Sequence, residues 1–171
     1  MFGLENRTLS ELCASADASH RKRKHLNLHS SFDEKCQRLL NAIQPDSYIP
    51  PHRHMLSGSR ELLIAIRGCF SLLIFDDKGN VTTKVAFGTE LYSKDEGFCV
   101  AVEIPPNCWH TVLAERADSV LLEVKEGPFD PSVAKEVASW APETDSQEAL
   151  DFVRSCRQLS DSCATGEYGK Q

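Results

Sequence analysis

The chain has 171 residues, enough to bury a full hydrophobic core, with 41% apolar and 26% charged residues, the balance of an ordinary globular protein. A net charge of −6 argues against general nucleic-acid binding, and no apolar run is long enough to span a bilayer. The first residues carry charge and lack an apolar signal core, so a cytoplasmic location is the default expectation.

The predicted elements open with a helix: Thr8-Leu9-Ser10-Glu11 fits a capping box, and Leu9, Leu12, Cys13 and Ala16 recur at helical spacing. The basic run Arg21-Lys22-Arg23-Lys24 can meet a phosphate-bearing ligand or form a solvated face; on an acidic protein the solvated face is the expectation. Leu26-Asn27-Leu28-His29 alternates like a short strand. A second capping box, Ser31-Phe32-Asp33-Glu34, precedes Cys36, Leu39, Leu40 and Ile43 on one stripe, which predicts a second helix ended by Pro45.

From about Ser47 to Lys125 the pattern turns to β. Short runs at Leu62–Ile66, Ser71–Phe75, Val81–Phe87, Phe98–Ile104, Trp109–Ala114 and Ser119–Val124 are separated by turn residues such as Gly68, Asp76-Asp77-Lys78-Gly79-Asn80 and Pro105-Pro106-Asn107. Many short strands at such spacing indicate a β-sandwich or barrel. Helices are then predicted near Ser132–Trp140 and from about Asp145 to Gln158, with a frayed polar tail after Ser160. The organisation expected is an N-terminal extension over 1–46, a barrel over 47–128, C-terminal helices over 129–158 and a tail over 159–171.

Seven cysteines, with no C-x-x-C pair, read as buried reduced thiols rather than disulfides or zinc ligands; Cys108 stands apart because it lies two residues from His110.

Chemistry concentrates in Pro51-His52-Arg53-His54, Glu61 and His110. Side chains alternate along a strand, so His52 and His54 share a face and Arg53 points away. Two imidazoles on one face can share a metal, with His110 and Glu61 completing the set. Nitrogen and carboxylate donors suit Fe, Mn, Ni, Zn or Co, and leave positions open for water or substrate. The parity of Tyr48 with His52 makes it either an interior proton donor or a rim tyrosine packed on Pro50. Glu103 and Glu123 lie within apolar strands; each either faces inward, as a general base or a hydrogen-bond partner of a ligating histidine, or faces solvent. Arg38 and Lys125 can bind an anionic substrate or pair with those glutamates. His29 is a candidate to hydrogen-bond a metal-ligating group, or a structural histidine, and Trp109 packs the barrel mouth or stacks on a sugar.

These residues resemble the cupin superfamily. Its first motif is met by His52-x-His54, Glu61 and Gly68, and its second more loosely by Gly97, Pro105-Pro106-Asn107 and His110. The loop before Glu61 is longer than the motif's, and Asn107 replaces the turn glycine. Asn27-Leu28-His29, Ser47-Tyr48-Ile49-Pro50-Pro51-His52-Arg53-His54 and Glu123-Val124-Lys125-Glu126-Gly127-Pro128-Phe129 are further similar to the WbuC-type cupin-fold metalloproteins. That resemblance implies a single double-stranded β-helix (jelly-roll) barrel flanked by helices, and a metal held by His52, His54, His110 and Glu61. It also implies a homodimer and a small-molecule ligand of the kind met in surface-polysaccharide (O-antigen) metabolism. The activities expected are a metal-dependent isomerisation of a sugar or sugar nucleotide, an iron-dependent dioxygenation, or non-catalytic sensing of a metal or carbohydrate.

Overall fold

A computed structural model describes residues 3–54, 60–89, 98–130 and 135–160. The elements are α1 (Asn6–Ala18), β1 (Arg23–Asn27), β2 (Cys36–Ile43), β3 (His52–Arg53), β4 (Glu61–Arg67), β5 (Cys69–Phe75), β6 (Val81–Gly88), β7 (Ala101–Ile104), β8 (Trp109–Ala114), β9 (Ser119–Glu126), β10 (Glu136–Val137) and α2 (Gln147–Gln158). These strands make two antiparallel five-stranded sheets, ordered β1-β2-β9-β4-β7 and β10-β3-β8-β5-β6.

Each sheet is covered on both faces, which gives four layers. Between the sheets lie Ile43, Leu63, Phe70, Leu72, Val85, Phe87, Val102, Ile104, Val112 and Leu121. The outer face of the first sheet packs Leu40, Ala42 and Val120 against Leu9, Leu12, Cys13 and Ala16 of α1. The outer face of the second packs Leu73, Phe75, Trp109 and Leu113 against Ala149, Val153 and Cys156 of α2. Strands apolar on both faces lose the in–out alternation of a half-solvated sheet.

That loss explains why one of the strands, β2, reads as a helix in the sequence. Residues 36–43 form β2, not a helix, and pair with β9 along their whole length, from Cys36↔Glu126 to Ile43↔Ser119. The Ser31 turn does form: Asp33 N–H donates to Ser31 Oγ and Ser30 N–H to Glu34 Oε1. The chain beyond it extends because eight register pairs with β9 outweigh local helical preference. The short strand expected at Leu26–His29 is β1, which starts at Arg23, so continuous β structure begins well ahead of Ser47.

The stretch expected as a helix near Ser132–Trp140 is extended at Glu136–Val137, where β10 pairs with β3 and Arg53 Nε meets Glu136 Oε2 at 2.8 Å; residues 131–134 lie outside the described residues. α1 starts at Asn6 with no side-chain cap, so Thr8 and Glu11 fall inside it. α2 is capped as its sequence suggests, Ser146 Oγ accepting from Ala149 N–H. The expected tail and Gly97 lie outside the described residues. Of the six cysteines among the described residues, Cys13 and Cys156 are buried as expected, whereas Cys69, Cys99 and Cys108 are half-buried and Cys36 is exposed.

Gly68 turns β4 into β5 at φ +84°, and a Cβ there would stand 2.8 Å from the Ser119 Cα, so the turn requires glycine. Asn107 takes φ 57° in the turn before β8, the left-handed conformation the second motif gives to glycine.

Candidate metal centre

β3 and β8 pair so that His52 lies directly opposite His110, with ring centroids 4.5 Å apart. His54, two residues along, brings its ring to 5.3 Å from His52 and 5.6 Å from His110. One nitrogen from each of the three rings falls within a 4.8 Å cluster. The fourth group comes from the other sheet: Glu61, at the start of β4, places Oε2 3.1 Å from His54 Nε2 and 3.3 Å from His110 Nε2. The site thus joins the two sheets inside the barrel, and Glu61 and His110 are almost fully buried.

The hydrogen bonds fix which nitrogens are available. Nδ1 of His52 lies 2.9 Å from the Pro50 carbonyl and Nδ1 of His110 2.8 Å from the Cys108 carbonyl. A carbonyl only accepts, so both Nδ1 atoms carry a proton and both rings present Nε2 to the cluster. Nε2 of His110 and Nε2 of His54 both lie against Glu61 Oε2, so imidazole and carboxylate donors converge on one point, as a divalent cation requires. Two ligands about 2.1 Å from one metal in cis octahedral positions are about 3.0 Å apart, close to the 3.1 and 3.3 Å seen here. The residues fit a divalent transition metal.

Burial, with His110 and Lys135 nearby, lowers His52 to about 3, so its imidazole is neutral and ready to coordinate. Burial works to raise Glu61, but its close polar contacts with His110, His54 and Glu123 outweigh it and hold the carboxyl well below its ordinary value. Glu123 goes the other way: burial and the neighbouring Glu61 push it up to about 7, against the pull of Lys125. The pair of carboxyl groups is polarised, one ionised and one holding its proton near neutrality.

The cluster opens into a cavity of about 500 Å³ with apolar walls from Ile43, Leu63, Val112 and Leu121. Glu123 is anchored there by Asn41 Nδ2 at 2.7 Å and Lys125 Nζ at 2.5 Å. His29 also lines it, with Nδ1 against the backbone of Arg38. Five residues singled out in the sequence lie elsewhere. Residues 48–51 are not a regular strand, so parity with His52 fails, and Tyr48 turns outward to donate to the Pro142 carbonyl at 2.9 Å. Arg38 alternates with the cavity residues Gln37 and Leu39 and pairs with Glu34. Glu103 is on the outer face of β7, exposed and paired with Arg60. Trp109 is on the far side of β8 from His110, donating to Asp77 beneath the Arg53 guanidinium. Cys108 packs on the central core rather than joining the histidines.

Arg23 and His25, expected on or beside a solvated basic face, lie on the cavity wall, as do Gln37, Asn41 and Lys135, which the sequence reading did not count as site residues. The signal for the first two was present: in a strand, Arg23, His25 and Asn27 share a face, so the basic run is an alternation as well as a charge block.

Fold and site define a cupin-fold protein with a three-histidine cluster inside a jelly-roll barrel. A family model described as a domain of unknown function (DUF6016) matches residues 4–87. No curated protein sequence matches the chain. Among solved structures, TT1209 from Thermus thermophilus is similar with a TM-score of 0.51 and 18% identity, over 74% of this chain and 97% of that one. Protein SO0799 from Shewanella oneidensis gives 0.50 and 15%, over 78% and 80%. An oxalate oxidase in complex with the substrate analogue glycolate gives 0.50 and 10%, over 70% and 57%. At these identities the likeness is one of fold. Among the described residues no helix is long and apolar enough to cross a membrane.

Proposed function

We propose that this protein is a metal-dependent enzyme that moves a proton on a small molecule, a sugar or sugar nucleotide of surface-polysaccharide metabolism. The observation that carries it is the buried carboxyl of Glu123, fixed by Asn41 and Lys125 beside the cluster of His52, His54, His110 and Glu61. Those four residues would hold a divalent metal, which would supply Lewis acidity toward a carbonyl or hydroxyl of the ligand. Glu123 is the acid–base group: its oxygens face the cavity, and Lys125 Nζ stabilises the carboxylate left when its proton is given up. The apolar walls exclude water and strengthen each of these interactions. The surface-polysaccharide context rests on the likeness to WbuC-type proteins.

The test is deuterium exchange. Protein loaded with Mn, Ni, Zn or Fe is incubated in D2O with hexoses and sugar nucleotides, and the carbon-bound protons are followed by NMR. Metal-dependent exchange is expected, and Glu123→Gln is expected to slow it roughly 10²–10⁴-fold with metal content unchanged. The same donor set also serves O2 chemistry at iron, and substrate-dependent O2 consumption by the Fe form alone selects that reading. Tight binding with neither exchange nor O2 uptake marks a sensor.

A further inference from the structure

The cavity wall carries positive charge that the histidine cluster does not use. Arg23 reaches it from β1, the edge strand of the first sheet, and Lys135 from the residue before β10, the edge strand of the second. The guanidinium of Arg23 is braced by the Tyr48 carbonyl at 2.6 Å and Ser47 Oγ at 3.3 Å, both uncharged acceptors. Among the described residues neither Arg23 nor Lys135 has a carboxylate within ion-pair distance, while the two cavity carboxylates are taken: Glu61 by His54 and His110, Glu123 by Lys125. In a chain of net charge −6, two unneutralised cations facing one cavity are a local inversion of sign. His29, buried on the same wall, has an Nε2 with no hydrogen-bond partner among the described residues.

We propose that the cavity selects a small organic anion, whose carboxylate or phosphate group is held by Arg23 and Lys135 while the rest of the molecule reaches the histidine cluster. This deepens the metalloenzyme reading and rests on it for the end of the ligand that faces the metal. A guanidinium braced by the Tyr48 carbonyl and an ammonium on the same wall are the cation types that bind carboxylates and phosphates. Neutral sugars offer these two cations nothing beyond ordinary hydrogen bonds.

Calorimetric titration with glucose, glucuronate and glucose 1-phosphate, which share one ring and differ in charged group, tests this. Metal-loaded and chelator-treated protein are compared at low and high salt. At least one anion is expected to bind about tenfold or more tighter than glucose, with the advantage shrinking at high salt; whichever anion leads identifies the oxyanion. Lys135→Ala is expected to remove about tenfold of that preference, and Lys135→Glu more, with metal content unchanged; Lys135 is exposed at the mouth, so the fold tolerates both. Arg23→Gln tests the other cation, with its unfolding midpoint as a control for the lost brace. Equal affinity for all three sugars, or no binding at millimolar concentration, overturns the proposal. So does an anion preference that survives both Lys135 variants and Arg23→Gln; if that preference also needs metal, the metal reads the charge and the metalloenzyme reading stands alone. Anion binding that depends on Arg23 and Lys135 in a protein that takes up no metal has the opposite meaning.

Discussion

His110→Ala is expected to weaken metal binding by more than about 100-fold, since groups that merely orient ligands are already worth 10–100-fold. His110 is central to the site. It lies in the middle of the second sheet, is 2% exposed, and faces both His52 across β3 and Glu61 across the barrel. Its Nδ1 is held by the Cys108 carbonyl, so no other nitrogen can swing in to replace it. The loss has a thermal signature. A ligand present at about 100 times its Kd stabilises the folded state by about 2.7 kcal/mol, so Zn or Mn is expected to raise the Tm of the wild type and leave that of His110→Ala unmoved. Competition with a chromophoric chelator gives the affinity directly. Equal affinities would show that His110 is not a ligand.

Phe70→Ala is expected to cost about 3–5 kcal/mol of stability, the range for emptying a buried aromatic site. Phe70 is fully buried between the sheets and stacks on its cross-strand partner Phe87, with ring centroids 5.2 Å apart and planes 23° off parallel. β5 sits between β6 and β8, so the ring has strands on both sides and cannot be backfilled by a loop. A domain of this size is stable by only about 5–15 kcal/mol, so the midpoint of urea unfolding should drop steeply. The site is at the other end of the β5–β8 pairing, where Ile74 opposes His110 and Phe70 opposes Ala114. Metal bound per folded chain is therefore expected to hold, which separates this core residue from a ligand.

What the sequence made legible follows from the range of the forces involved. Period-two alternation placed His52 and His54 on one face, and the structure brings both to His110 with Glu61 beside them. The strands from β4 to β9 were readable because turn residues bound each of them. β2 was not, because a strand apolar on both faces, Leu39 and Ile43 inward and Leu40 and Ala42 outward, carries a stripe that also fits a helix. Tyr48 was misplaced because parity holds only along a regular strand, and the chain is irregular until His52. Glu103 and Glu123 look alike in sequence; only the pairing of β4 with β7 and β9 decides that one faces solvent and the other the cavity. The meeting of Arg23 with Lys135 was out of reach for the same reason. Their strands join the sheets at edges far apart in sequence, and no local pattern reports that they share a wall.

Metal content of the protein purified without chelator, read by plasma mass spectrometry beside the His52→Ala variant, tests the central claim. About one transition-metal ion per chain in the wild type, restored by reconstitution if lost on purification and absent from His52→Ala, is the result expected of a single cluster of this kind. A wild type that takes up no metal on reconstitution, or a variant that keeps its full complement, would contradict it.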